Sequence, residues 1–511
     1  MLRAPIHKVT PASRRRLLVA IATAVVALSS PAHADSFRDA FGALYGADRL
    51  PLPQPAVHSS DDSLHRWNLI AINASGLDHT PVLPGENRIF GQQLGPGRSA
   101  RAVAIVHIAM ADAVAAIQRK FRSFTGVTSS SHPISEEAAI SQAAHDTLVA
   151  LFSSQAAGFD ALLTADLARI RDTPEKKARG RALGHQIATV ILEMRNGDGS
   201  QVAEPRMGID FFPSNLAGHW RQDPISLIPL ALGAHWGECT PFVLQNASQF
   251  RTPPPPEMTS DAYTVAYNEA KNFGGDGVHT PTQRTPEQTF LGLFWAYDGT
   301  PSLCAPPRLY NQITVQIADA RRLKTVDLAR LLALVNVAMA DAGFSSWESK
   351  FHWDFWRPIG GIRESDPGTG STGTGDGNPN TVGDTTFMPL GAPASNLTGP
   401  NFTPPFPSYP SGHATFGGAI FQIMRRFYGT DNIGFTFVSD EFNGVTHDNG
   451  GNVRPYMPRY FTRLSQAEEE NGQSRIYLGI HWSFDKTAGI AQGRQVADYV
   501  FDRAFQVTHV P

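Results

Sequence analysis

Apolar residues recur at three- and four-residue spacing over residues 99–119, 135–152, 174–194, 260–273, 282–295, 309–320, 326–342 and 485–506. That period keeps one face of a helix against a core, so the chain reads as all-α. Irregular segments separate the periodic ones, chiefly residues 196–222, the proline run 253–256 and residues 366–410. The last is rich in Gly, Thr, Pro and Asn, and a loop that long in a compact domain either serves a site or moves. His107 and Asp112, inside the first periodic segment, read as core or interhelix contacts.

Three stretches carry the chemistry. In residues 350–358, Lys-Phe-His-Trp-Asp-Phe-Trp-Arg-Pro, seven positions separate Lys350 from Arg357. Read as the end of a helix, about 700° of turn puts both cations on one face, two turns apart, where they can converge on one anion. Arginine brings a planar fork suited to paired oxygens and lysine a compact charge. A solvated basic face is the plainer reading of such a pair, but Phe351, Trp353, Phe355 and Trp356 between them are costly to expose.

The second stretch, Pro407-Ser-Tyr-Pro-Ser-Gly-His413, precedes a periodic apolar segment. Ser411 is a preferred N-cap type, so a helix is expected to begin there with free amides facing an anion. Gly412 allows close backbone approach, and His413 in the first turn can transfer protons near neutral pH. A structural helix cap accounts for this stretch taken alone. The third, Ser474-Arg-Ile-Tyr-Leu-Gly-Ile-His-Trp-Ser-Phe-Asp485, adds a guanidinium at Arg475 and an imidazole at His481. That imidazole could bond to phosphorus or coordinate a metal centre. Asp485, four residues on, is one turn away if the segment is helical, and could take the other ring N–H and fix the tautomer.

Lysine, six residues, Arg-Pro, then Pro-Ser-Gly-His, then Ser-Arg followed by His and Asp resembles the signature of the acid phosphatase and vanadium haloperoxidase superfamily. Finer wording is similar to its vanadium chloroperoxidase branch: Trp347, Phe355-Trp-Arg-Pro358, residues 405–418, Phe294-Trp-Ala-Tyr-Asp298-Gly and Pro306-Pro-Arg-Leu-Tyr-Asn311-Gln. The resemblance implies two four-helix bundles with the site on the C-terminal one. It also implies a vanadate cofactor, one vanadium per chain, whose metal ligand is His481. Lys350, Arg357, Ser411, the Gly412 amide and Arg475 would balance the charge of its oxygens. His413 would donate and accept protons, and Asp298 would buttress the lysine and arginine. Hydrogen peroxide and a halide would then give hypohalous acid, which halogenates a small organic acceptor. The resemblance also assigns halide selectivity to Phe406 and Trp347, a phenylalanine at the first position going with chloride and a histidine with bromide. Two alternatives stay open: an acid phosphatase with His481 as nucleophile and His413 as acid, and a helical scaffold that binds an anion without turnover.

The first 34 residues hold five basic and no acidic residues, then an apolar run and Ala-His-Ala, which read as a secretory signal, with Ser13-Arg-Arg-Arg resembling a twin-arginine type. Export to the periplasm or medium is expected. Its removal leaves 38 basic against 46 acidic residues, a formal charge of −8 in place of −3, which disfavours nucleic acid as a partner. No later stretch reads as long and apolar enough to span a bilayer. Cys239 and Cys304, in an exported chain, could form one disulfide. The domain reading is a leader over residues 1–34, an N-terminal extension over 35–98, a first helical bundle over 99–280 and a second over 281–511, forming one structural unit.

Overall fold

The computed structural model describes residues 37–46, 62–130 and 132–508, so the leader expected over residues 1–34 lies outside the described residues. Fourteen helices run in the order α1 (Phe37–Phe41), α2 (Ser63–Asp78), α3 (Gly95–Gln118), α4 (Glu136–Leu151), α5 (Ala156–Arg169), α6 (Pro174–Met194), α7 (Asp261–Gly274), α8 (Pro286–Phe294), α9 (Pro307–Ala320), α10 (Thr325–Trp353), α11 (Pro358–Arg363), α12 (Gly412–Tyr428), α13 (Leu464–Tyr477) and α14 (Ser483–Phe501). Two strands, β1 (Phe435–Phe437) and β2 (Arg459–Phe461), form one antiparallel pair. The all-α reading therefore holds among the described residues.

The helices sort into two packed groups. α2 and α3 pack against α4, and α6 against both α3 and α4; in the second group α10, α12 and α14 pack together and α13 closes against α12 and α14. α3 lies directly on α10, so a single apolar core runs through both groups, from Ile105 and Ile140 to Leu334 and Phe416. α2, within the expected N-terminal extension, packs on α3 and α4 with Trp67 fully buried. α7, within the expected first bundle, packs on α11, α13 and α14.

One expectation fails for a physical reason. α3 and α10 do have the length and hydropathy of a membrane span, but their apolar windows are 94% buried inside the protein, which makes them core helices. Cys239 and Cys304 are both free and buried; Cys304 Sγ lies 2.9 Å from Ser75 Oγ rather than against another sulfur.

The contact of α12 with α14 positions the site, and it is close because glycines line it. A Cβ on Gly493 would fall 2.1 Å from the Thr415 carbonyl oxygen and 2.7 Å from the Ala419 nitrogen. Backbone cannot yield as a flexible side chain can, so Gly493→Ala must push α14 off α12. We expect it to cost roughly 1–3 kcal/mol of stability, the usual range for overpacking, read as a lower denaturant midpoint in chemical unfolding. An unchanged midpoint would mean that the two helices part without cost.

Candidate active site

α10 delivers Lys350 in its last turn, and then the chain leaves the helix. Asp354 caps α10 in the left-handed conformation, at φ 49°, and Arg357 stands in extended backbone as the N-cap of α11, with Pro358 at its first position. The sequence placed Lys350 and Arg357 on one helical face; the structure brings them together by a turn instead. Pro358 supplies the reason, since a residue before proline is pushed out of the helical region.

Lys350 is fully buried, and its Nζ donates to the carbonyls of Pro407 at 3.0 Å, Ser408 at 2.8 Å and Pro410. These use all three ammonium N–H groups. Lys350 therefore acts through its charge, and gives an oxyanion a hydrogen bond only by releasing a carbonyl. Burial, then the Arg357 guanidinium, holds its pKa well below that of a free lysine. The ring of Phe406 lies 5.2 Å from Nζ and 5.0 Å from Arg357 Cζ, and packs on Trp347 at 4.8 Å.

The two guanidiniums are only partly used by the protein. Arg357 donates from Nε to the Phe406 carbonyl at 2.9 Å and from Nη1 to the Ile480 carbonyl at 2.8 Å. Arg475, on α13, donates from Nη2 to Asp298 Oδ1 at 2.6 Å. That leaves Arg357 Nη2, Arg475 Nε and Arg475 Nη1 buried with no partner among the described residues. Asp298 thus buttresses an arginine as expected, but not the lysine, whose donors go to carbonyls. Burial raises its carboxyl pKa against the pull of Arg475, and its Oδ2 is also unpartnered.

Ser411 is the N-cap of α12, accepting from the Ala414 amide at 3.4 Å, as its residue type predicted. Gly412 opens the helix, so its amide has no carbonyl one turn back to serve. A Cβ there would meet the Trp347 ring at 3.1 Å, so any larger residue requires that ring to give by a few tenths of an ångström. His413 follows, with Nε2 held 2.6 Å from the Ala296 carbonyl. A carbonyl only accepts, so Nε2 carries the proton and Nδ1 keeps the lone pair. Burial first, then Arg475, keeps this ring well below the usual histidine pKa, hence neutral at pH 7.

His481 has the opposite tautomer. Its Nδ1 lies 2.7 Å from Asp485 Oδ2, which also accepts from Ser408 Oγ and, at 3.1 Å, from the Trp482 amide. Nδ1–H donates to the carboxylate, so Nε2 carries the lone pair, which accepts one long hydrogen bond from Arg357 Nη1 at 3.4 Å. Burial and the surrounding cations keep the ring neutral, and burial lifts Asp485 to about 7 against the donors and charges that favour its ionised form. The expected His–Asp pair forms, though not along a helix: His481 precedes α14, and Asp485 reaches back from its first turn. Ser408, Tyr310 and Asn471 went unread. The last two hold the His413 carbonyl at 2.8 Å each. Asn471 was within reach, lying one turn before Arg475 on α13, whereas Ser408 carries no signal beyond its neighbours.

A mostly apolar pocket adjoins the cage, and its lining includes Trp347, Phe406, Gly412, His413, Arg475 and His481. Fold and side chains together define a helical-bundle protein built around a buried, cationic oxyanion site with two neutral histidines. The VCPO second helical-bundle domain, as a family model, matches residues 330–509. The chain is 32% identical to the vanadium chloroperoxidase of Curvularia inaequalis over 86% of its own length and 82% of that protein. Among solved structures, it is similar in fold to a bacterial vanadium-dependent iodoperoxidase, at 22% identity and TM-score 0.68 over 90% of this chain and 100% of the other. A holo-type bacterial vanadium-dependent chloroperoxidase matches at 17% identity and TM-score 0.58 over 88% and 95%. The chain belongs to the vanadium haloperoxidase family.

The residues present fit the vanadate that this family implies. Buried N–H groups without acceptors cost stability unless a ligand takes them, and three guanidinium donors here are in that state beside a lone pair at His481 Nε2.

Proposed function

We propose that this chain uses hydrogen peroxide to oxidise bromide and chloride to hypohalous acid, which halogenates an organic acceptor. The observation that carries the reading is the buried, neutral His481, its Nε2 lone pair met only by a long 3.4 Å hydrogen bond from Arg357, beside guanidinium donors that no protein group satisfies. When bound, vanadate supplies Lewis acidity towards peroxide with no change of oxidation state at the metal. His481 Nε2 would be its protein ligand. The free N–H groups of Arg357 and Arg475, the Gly412 amide and the Ser411 hydroxyl would hold its oxygens, and the fixed charge of Lys350 favours anionic groups there. His413 Nδ1, the lone pair of a neutral ring, would accept a proton from hydrogen peroxide and give it back to an oxygen group held in the cage. Asp485 keeps His481 in the ligating tautomer. Export through the leader read in residues 1–34 completes the proposal.

The test is halogenation of a dimedone-type acceptor by metal-free protein with peroxide and bromide, then chloride, before and after orthovanadate, with phosphate as competitor. Activity that requires vanadate and is suppressed by phosphate is the expected result. Phosphate-ester hydrolysis without halogenation would reassign His481 as a nucleophile and His413 as the acid.

Phe406 bears on the choice of halide. Its ring touches Trp347 and faces both cations, so a halide arriving there meets positive charge behind an apolar surface. Phe406→His is expected to lower the chloride-to-bromide rate ratio severalfold, measured with each halide at saturation. An unchanged ratio would leave Phe406 a packing role only.

A further inference from the structure

The orientation of His413 depends on one carbonyl, that of Ala296, which lies in the connection between α8 and α9. A trans peptide points its C=O and N–H in opposite directions, so its plane is fixed when both ends are held. The Ala296–Tyr297 peptide is held in this way. Its oxygen accepts from His413 Nε2 at 2.6 Å, and on the far side the Tyr297 amide donates to Glu441 Oε1 at 3.4 Å. Glu441 stands in the single helical turn Asp440–Phe442 and is fully buried. Its other oxygen accepts from Ser395 Oγ at 2.6 Å and from Arg454 Nη1.

Tyr297 would not stay in place unaided. Its φ is 47°, in the left-handed region, which is costly for a bulky side chain and persists only where the surroundings impose it. Its hydroxyl accepts from the Asp440 amide at 2.6 Å and donates to Gln312 Oε1 at 3.0 Å, while Ser439 Oγ donates to the Phe294 carbonyl at 2.6 Å. Residues 439–441 therefore grip residues 294–297 by backbone and side chain alike, and the next residue, Asp298, engages Arg475 of the cage. Charge acts along the same line. Burial raises the Glu441 carboxyl, and the Arg454 guanidinium pulls it down again. A carboxylate at the N–H end of a peptide polarises the group and leaves its carbonyl oxygen more negative, which strengthens the bond that His413 Nε2–H donates.

We propose that Glu441 is a positioning residue for His413: through the Ala296–Tyr297 peptide it fixes and strengthens the hydrogen bond at Nε2, and so keeps Nδ1 as the nitrogen that exchanges protons. Glu441 touches neither substrate nor cofactor in this role. Its effect on turnover rests on the haloperoxidase reading above; its effect on the His413 hydrogen bond does not.

The test follows the His413 Nε2–H proton by NMR in the full metal-free chain carrying isotopically labelled histidine, the signal being assigned by its loss in His413→Ala. Glu441→Gln keeps an acceptor for the Tyr297 amide and removes the charge. Glu441→Leu combined with Arg454→Met removes both partners of the ion pair, so that no buried charge is left alone. The resonance is expected to move upfield in the first variant and to be lost to solvent exchange in the second. With vanadate, peroxide and bromide present, turnover should fall about tenfold in the double variant, the low end for losing a group that orients another, and less in Glu441→Gln, with vanadate affinity within a few-fold of wild type. An unmoved resonance in the folded Glu441→Gln protein overturns the proposal, whatever the turnover. Equal losses of vanadate affinity and turnover do so as well, since they mark a segment that only supports the cage. A resonance that responds as expected, in a chain whose wild-type form oxidises no halide, overturns the haloperoxidase reading and leaves the positioning of His413 standing.

Discussion

His481→Ala is expected to abolish vanadate-dependent halide oxidation and to weaken vanadate binding by more than the 10- to 100-fold typical of losing a group that merely orients a ligand. The argument is one of supply. Vanadate needs a protein donor atom, and the cage offers the lone pair of His481 Nε2, because Nδ1 keeps its proton and donates to Asp485. Alanine removes that donor and leaves the cationic groups, so an anion can still enter without being ligated. Asp485 keeps its bonds to Ser408 and the Trp482 amide, so α14 should still start in register. Vanadate titration by equilibrium dialysis, beside a thermal melt, separates lost ligation from lost fold. A folded His481→Ala protein with wild-type activity would sink the assignment.

His413→Ala should do the reverse. Its ring is not required to hold the cofactor, so vanadate affinity should stay within a few-fold, while turnover falls about 10²- to 10⁴-fold, the usual range for a lost general acid–base group. A pH dependence follows from the same environment. Burial and Arg475 depress the pKa of His413 well below 6.5, so its basic form persists as the solution is acidified. The acid limb that this residue contributes to kcat should therefore lie below pH 6.5, and it should vanish in the alanine variant. Equal losses of affinity and turnover would make His413 a part of the binding cage instead.

Much of this was legible from side-chain pattern because the pattern is local. Ser411 before Gly412 marked the start of α12, because caps act over three or four residues. α13 was missed because Leu464–Tyr477 is polar almost throughout and carries no apolar period, its place being set by what it packs against. α2 was missed as well, although Asp62 caps it and Trp67 anchors it. At the site, every charged residue named from sequence is buried in one place. What sequence could not supply is the backbone: the carbonyls of Pro407, Ser408 and Pro410 around Lys350, and that of Ala296 under His413, decide which donors and lone pairs remain free. A carbonyl has no residue type, so its role appears only when the chain is folded.

The cage stands on the ends of packed helices, while the apolar wall beside it is made of Phe41, Ile228, Leu230 and Phe402, drawn from a short terminal helix and two irregular segments. The two therefore answer to different constraints. A mutation at a helix end acts on the α12–α14 contact directly, whereas one in the wall reaches the cage only through the cluster that it shares with Leu478 and Ile480, the latter next to His481 and holding Arg357 by its carbonyl.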